Sequence, residues 1–420
     1  MSDSPKRFKS EFLRQFVARG AFYDCTDPEG LDQLFVGGPA TVYIGFDCTA
    51  ASLHVGSLVQ LMTLRRLQQA GHRPILLMGG GTTKIGDPSG KDEARKLLSS
   101  EQIEANKQSI LSGIRHLLHF GDGPSDAIMV DNADWLDRLE YIPFLRDYGR
   151  HFSVNRMLTL ESVKLRLDRE QPLSFLEFNY SILQAYDFVE LYRRFGCRVQ
   201  SSGSDQWGNV VSGIDLGRRV ENVQLFGLTT PLITTASGAK MGKTAAGAVW
   251  LNADLCSPYE YWQFWRNTED RDVGRFLRLF TDLPEAEIQR LEALEGAELN
   301  DAKKCLANEA TAMLHGYSAA EAASDTARRV FEEGQVGEQL PTVEIPARRF
   351  PLGALSLAVA SGLAASNSAA RQLIANHGLL FNDVLVSDPR AEVSLSDVGP
   401  NGVIKVSKGK KQHVLIRPVG

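Results

Sequence analysis

Thr41-Val42-Tyr43-Ile44-Gly45-Phe46, then Val55 to Ala70, then Ile75-Leu76-Leu77-Met78 running into Gly79-Gly80-Gly81, is the stretch whose reading decides the fold. The outer pieces are short apolar runs of strand length. The middle piece carries a helical apolar repeat and stops at Gly71. This is a strand–helix–strand unit with glycines at the strand ends, and it predicts an α/β fold with a parallel sheet. In such sheets ligands collect at the carboxyl ends of the strands, so segments 43–57 and 79–95 are expected to face one pocket. A later strand around Arg198 to Gln200 delivers Gly203-Ser204-Asp205-Gln206-Trp207-Gly208-Asn209 to the same edge.

Working outward, 420 residues suffice for two or three domains with sizeable cores. A composition of 43% hydrophobic and 23% charged residues, with a net charge of -5, is that of a soluble globular chain, so any basic surface must be local. The five cysteines, Cys25, Cys48, Cys197, Cys256 and Cys305, are odd in number and widely spaced. That argues against a disulfide framework or a paired-cysteine metal site and for a reducing cytoplasm. No apolar run reaches the length of a membrane span, and no secretory signal opens the chain, so no membrane partner is expected. Residues 6–19 place Phe8, Phe12 and Phe16 at helical spacing among basic groups; Glu11 interrupts them, and a packing helix is the reading.

A second informative stretch begins Ser174-Phe175-Leu176-Glu177 and runs to Gly196. Ser174 and Glu177 form a capping-box pattern. Tyr180, Gln184 and Asp187 fall within about 60° of one another on a helix, opposite Phe178, Ile182, Ala185 and Val189. One face packs and the other offers hydrogen bonds, which alone fits an ordinary surface helix as well. From about Pro258 the pattern is helical to about Glu333. The stretch from Gln335 to Pro351, holding Pro341, Pro346 and Pro351, reads as a linker. A small unit follows, with a helix from Ser366 to Gly378 and a strand pair around Lys408-Gly409-Lys410-Lys411.

Three short motifs carry chemistry. His54-Val55-Gly56-Ser57 stands where a loop enters a helix, so imidazole and helix-start amides can together meet a phosphate; a plain helix cap is the alternative. Lys240-Met241-Gly242-Lys243-Thr244, flanked by Gly238 and Gly247, sets two cations on a loop able to close on a polyphosphate; a solvated basic turn is the alternative. Gly86-Asp87-Pro88-Ser89-Gly90-Lys91 fails as a phosphate loop, because only three residues separate its glycines and Asp92 follows the lysine.

In order, Tyr43 to Thr49, the His54 motif, Ile85 to Lys91, Tyr180 to Asp187, Gly203 to Asn209 and Lys240 to Thr244 make the whole chain resemble the bacterial tyrosyl-tRNA synthetases, which are class I aminoacyl-tRNA synthetases. The resemblance implies a Rossmann-like parallel-sheet catalytic domain over residues 1–248, an α-helical tRNA anticodon-arm domain over 249–335, and a linker at 336–350. A small α+β RNA-binding domain of ribosomal-protein type would occupy 351–420. Residue by residue, it implies that Tyr43 and Asp187 hold the tyrosine hydroxyl. Asp87, Tyr180 and Gln184 surround the substrate ammonium, and Gln200 lies in their neighbourhood. Gly45, Asp47, Thr49, His54, Gly56, Ser57, Gly203, Asp205 and Gln206 match positions around ATP. Lys91, Arg95, Lys240, Lys243 and Thr244 match groups that stabilise the leaving pyrophosphate. The family signature ends in His or Asn where this chain has Ser57, so a water bridge to the ribose is the expected substitute. Arg371, Lys405, Lys408, Lys410 and Lys411, with Arg417, form the expected RNA-binding face.

The implied partners are L-tyrosine, ATP with Mg²⁺, tRNA(Tyr) and a second copy of the chain in a homodimer. No resident metal is implied. The tyrosine carboxylate, ionised at neutral pH, attacks the α-phosphorus of ATP without a general base, and a ribose hydroxyl of tRNA then takes the tyrosyl group. Two other readings stay open: the tryptophan-activating sister family, which the pairing of Tyr43 with an acidic residue at 187 disfavours, and a non-catalytic RNA-binding protein on the same fold.

Overall fold

The structure is a computed structural model that describes residues 8–88, 97–238, 240–244, 247–331, 340–399, 401–409 and 412–420. They divide into two compact units: residues 1–256 with 264–316, and residues 257–263 with 317–420.

The first unit is organised by a six-stranded sheet. Its strands are β1 (Asp24–Cys25), β2 (Thr41–Asp47), β3 (Arg73–Gly79), β4 (Ile128–Asp131), β5 (Val199–Gly203) and β6 (Phe226–Thr230), in the order β1-β6-β5-β2-β3-β4. All neighbours are parallel except β1 and β6. Tyr43 pairs with Ile75 on one side and Gln200 on the other, which makes β2 the hub. From β2 the chain order runs outward to β3 and β4, whereas β5 and β6 lie on the opposite side. The reversal between β2 and β5 is a topological switch point, where a parallel sheet opens a crevice beyond its carboxyl ends.

Sequence patterns account for the elements around the sheet. The expected helix after β2 begins as one 3₁₀ turn, Val55–Ser57, and continues as Leu58–Gln69, with Leu58, Leu61, Met62, Leu64 and Leu67 buried. The stretch from Ser174 is two helices, Phe175–Phe178 and Tyr180–Phe195, joined at Asn179. The capping box forms as expected: the Glu177 N–H donates to Ser174 Oγ (3.2 Å) and the Ser174 N–H to Glu177 Oε2 (3.1 Å). Gly196 ends the second helix at φ +62, a left-handed conformation open to glycine. Ala185, Phe188, Val189 and Leu191 of this helix join Tyr43, Ile75, Leu77 and Trp135 in one apolar core. The N-terminal helix Glu11–Ala18 buries Phe12 and Phe16, the packing role expected of it.

In the second unit, helices Ala354–Ala360 and Asn367–Ala375 pack with a five-stranded sheet. Its order is 384–385, 379–381, 404–408, 412–419 and 342–346. Residues 342–346, read from their prolines as linker, are instead a strand running parallel to Gln412–Val419. The strand lies at the sheet edge, where a proline removes no ladder hydrogen bond, so Pro346 is tolerated.

Candidate active site

The carboxyl ends of β2, β3, β4 and β5 bring together side chains far apart in sequence. Asp187 is the deepest of them. Its carboxylate is 2% exposed and accepts hydrogen bonds from Asn132 Nδ2 (2.9 Å) and Trp135 Nε1 (2.7 Å). Burial pushes its pKa up to about 7 against the pull of those two donors, and the charges of Asp47 and Asp131 push the same way. The hydroxyl of Tyr43, 1% exposed, has no hydrogen-bond partner among the described residues. Its pKa is raised by burial and then by the charge of Asp187. Gln200 Oε1, on the neighbouring strand, is also buried and without a partner among the described residues. Buried polar atoms are rarely left unsatisfied, and two on paired residues of adjacent strands, one of them feeling the charge of Asp187, mark a place shaped for a polar ligand group.

Asn132 and Trp135, which hold the Asp187 carboxylate, are not among the residues expected from the sequence. They follow β4, a short strand whose four residues are only half-buried and give a weak periodic signal.

Around this pocket the other expected residues fall into place unevenly. Asp47, at the end of β2, accepts from Thr82 Oγ1 (2.8 Å) and Tyr180 Oη (3.2 Å). Asp87 accepts from Gln206 Nε2 (2.9 Å), and Asn209 Nδ2 donates to Gln206 Oε1 (2.9 Å), so the 203–209 segment meets the 86–88 segment as expected. The carboxyl of Asp205 is shifted upward by burial and by the charge of Asp87, while Lys240 offsets part of the shift. Gln184 is half-buried on the same helix as Tyr180 and Asp187, and Gly45 and Thr49 are exposed along β2 and just after it. Lys91 and Arg95 lie outside the described residues.

His54 serves first as a helix cap. The Gly56 N–H donates to its Nδ1 (2.9 Å), which leaves the proton of the neutral ring on Nε2. The Ser57 N–H donates to the His54 carbonyl (2.8 Å). A segment following the two-lysine loop runs antiparallel to the histidine segment: the Val55 N–H donates to the Val249 carbonyl (2.9 Å), and His54 bridges Trp250. Within the loop, Lys240 is exposed and Lys243–Thr244 pairs with Gly247–Ala248. Gly242 has φ +87, and a Cβ there would lie 2.9 Å from the Gly56 nitrogen. The loop therefore passes directly over the histidine turn, and both contact points need glycine.

On the expected RNA-binding face, Arg371, Lys408 and Arg417 are exposed, while Lys410 and Lys411 lie outside the described residues. Lys405 does not belong to this face. Its side chain is 4% exposed and its ammonium lies 3.0 Å from Asp383. Alternation sets it on the sheet face opposite the core residues Ile404 and Val406, where it is covered all the same, and a buried charge requires a partner.

The pKa of Asp187 gives a pH dependence. Its folded value exceeds the unfolded one, so its proton stabilises the native state at low pH, and this contribution is lost as pH rises towards 7. The ionised form accepts a hydroxyl hydrogen bond better, so affinity for tyrosine, the ligand the resemblance implies at Asp187, should rise between about pH 6 and pH 8. Equilibrium dialysis of tyrosine across that range checks this, with Asp187→Asn expected to be flat.

The description tRNA synthetases class I (W and Y) matches residues 37–332. The tyrosine–tRNA ligase of Rhodospirillum rubrum is 62% identical over 412 residues, covering 97% of this chain and 98% of that protein. The tyrosine–tRNA ligase of Bradyrhizobium diazoefficiens is 60% identical over 413 residues, covering 98% and 99%. A solved C-terminally truncated mitochondrial tyrosyl-tRNA synthetase from Aspergillus nidulans superposes with a TM-score of 0.70 at 29% identity, covering 78% of this chain and 96% of that one. A parallel sheet with its switch point at β2, a buried carboxylate beside a buried tyrosine hydroxyl, and likeness to these proteins over nearly their full length lead to one conclusion: the chain belongs to the class I tRNA synthetases, in their tyrosyl-tRNA synthetase family.

Proposed function

We infer that this chain is a tyrosine–tRNA ligase that activates L-tyrosine with ATP and transfers it to the 3′ end of tRNA(Tyr). The observation that carries the reading is the buried Asp187 carboxylate, held by Asn132 and Trp135 beside a Tyr43 hydroxyl that has no partner among the described residues. A phenol needs one acceptor and one donor at its oxygen, and this pair supplies both; an indole ring offers only a donor. That difference favours tyrosine over tryptophan. Tyrosine-dependent exchange of labelled pyrophosphate into ATP tests the reading, and equal stimulation by tryptophan would overturn it.

In this reading Asp87, Tyr180, Gln184 and Gln200 hold the amino-acid end of tyrosine. Gly45, Asp47, Thr49, Ser57, Gly203, Asp205 and Gln206 hold the nucleotide. The tyrosine carboxylate displaces pyrophosphate from the α-phosphorus. His54 Nε2 donates to the phosphates, while Lys240, Lys243 and Thr244, with Lys91 and Arg95, offset the charge that grows on the leaving group. The 2′- or 3′-hydroxyl of the terminal tRNA ribose then attacks the tyrosyl carbonyl, and AMP leaves. Mg²⁺ enters with the substrate, carried on the ATP phosphates. Because the loop cations act mainly as pyrophosphate charge develops, Lys243→Ala should lower the single-turnover activation rate while leaving the tyrosine dissociation constant nearly unchanged.

The functional division keeps catalysis in residues 1–248, the anticodon arm with 249–335, and further RNA contact in 351–420 through Arg371, Lys408, Lys410, Lys411 and Arg417. A homodimer is supported by large apolar side chains left exposed between residues 141 and 176, among them Ile142 at 69% and Phe175 at 68%. Phe175→Asp should shift the protein towards monomer in sedimentation, with loss of tRNA charging if one tRNA spans both subunits. No helix among the described residues is long and apolar enough to cross a membrane. Five cysteines without a disulfide suit the cytoplasm.

A further inference from the structure

Asp187 and Asp47 are joined by a short hydrogen-bonded chain. Asn132 Nδ2 donates to Asp187 Oδ2 (2.9 Å) and to Thr82 Oγ1 (3.1 Å), and Thr82 Oγ1 donates to Asp47 Oδ1 (2.8 Å). The other oxygen of Asp47 accepts from Tyr180 Oη (3.2 Å). The polarity of the chain is set throughout. The Gly81 N–H donates to Asn132 Oδ1 (2.8 Å), which turns the amide nitrogen towards Asp187 and Thr82. The single hydroxyl hydrogen of Thr82 is then committed to Asp47. Asn132 and Thr82 are both buried, so water cannot stand in for a lost link.

Gly79 lets the chain pass. A Cβ there would lie 2.4 Å from Asp47 Oδ1 and 2.6 Å from Thr82 Oγ1. Its φ is not in the left-handed region, so the clash with this hydrogen bond, not backbone geometry, is what a side chain would meet first. The carboxyl ends of β2, β3 and β4 are thereby linked to one another and to the helix Tyr180–Phe195 by four side-chain hydrogen bonds.

We propose that Thr82 is a positioning residue that couples the tyrosine pocket at Asp187 to the nucleotide side at Asp47, so that binding of one substrate sets the geometry for the other. The proposal rests on the reading of Asp187 as the acceptor for the tyrosine hydroxyl. When the phenol donates to Asp187, the carboxylate is drawn on by three donors, and Asn132 is the one that also touches Thr82. A shift there moves Thr82 and hence Asp47. A reciprocal coupling follows: ATP tightens tyrosine by the same factor as tyrosine tightens ATP.

The test measures tyrosine affinity of the full-length protein by equilibrium dialysis, with and without a non-hydrolysable ATP analogue. Thr82→Val keeps the side-chain shape without the hydroxyl; Thr82→Ser keeps the hydroxyl. Gly79→Ala breaks the same link from the other side. The ratio of the two affinities is expected to fall by about tenfold, or to one if it starts smaller, in Thr82→Val and in Gly79→Ala, and to survive in Thr82→Ser. A purely structural role for Thr82 would lower the melting temperature and leave that ratio alone. An unchanged ratio in a folded Thr82→Val or Gly79→Ala protein overturns the coupling, as does loss of the ratio in Thr82→Ser. Should Thr82→Val fail to fold, Gly79→Ala decides alone. Asp187→Ala distinguishes a failure of the Asp187 reading from a failure of the coupling. Unaltered selection of tyrosine over phenylalanine in that variant removes the reading of Asp187 and the coupling with it, whereas altered selection alongside an intact ratio in Thr82→Val removes the coupling only.

Discussion

Asp187→Ala is expected to cut the preference for tyrosine over phenylalanine by roughly 10- to 150-fold, the range for losing a hydrogen bond to a charged group worth about 1.5–3 kcal/mol. The loss has two sources. The phenol would find no carboxylate acceptor, and the Tyr43 hydroxyl, already without a hydrogen-bond partner among the described residues, would gain no acceptor in place of the carboxylate whose charge it feels. Phenylalanine, which never made the bond, should bind nearly as before. Asn132 Nδ2 and Trp135 Nε1 would also lose their acceptor, so the variant should melt at lower temperature. Pyrophosphate exchange at matched concentrations of the two amino acids measures the selection. A variant that discriminates as well as its parent would assign hydroxyl recognition elsewhere.

Ending the chain just before Pro341 is the second change of large expected effect, because it separates two activities. Every residue assigned to activation precedes Ala245, so tyrosine-dependent exchange should stay within about twofold of the full chain. Transfer to tRNA should fall by roughly one to two orders of magnitude, and tRNA affinity should lose part of its salt dependence as Arg371, Lys408 and Arg417 are removed. The cut site follows from the fold. Residues 342–346 are a strand paired with Gln412–Val419, so a break at Pro351 would leave that strand in the shortened chain without its partner. Aminoacylation at two salt concentrations, set against exchange on the same preparation, checks both halves.

Lys405 shows why charge counting cannot define an interface. In the chain it belongs with Lys408, Lys410, Lys411 and Arg417. In the sheet, Lys405 lies on the face opposite the core residues Ile404 and Val406 and is buried against Asp383, while Lys408, at the strand end, remains exposed. Asp383 comes from a tight turn with Asn382, both at positive φ, whose position beside Lys405 depends on strand pairing.

Local rules were enough wherever a residue's role depends on its near neighbours. The strand at 41–47, the helix after His54, the capping box at Ser174 and Glu177, the stop at Gly196 and the shared face of Tyr180 and Asp187 follow from spacing and capping alone. Motif order then pointed to the chemistry. Tertiary structure decided which polar atoms are satisfied and which wait for a ligand. Asn132 reaches Asp187 across 55 residues of chain and Thr82 across 50, through β4, whose four half-buried residues give little periodicity. A hydrogen bond depends on angstroms set by sheet order and register, and no local propensity encodes the distance between the ends of two strands.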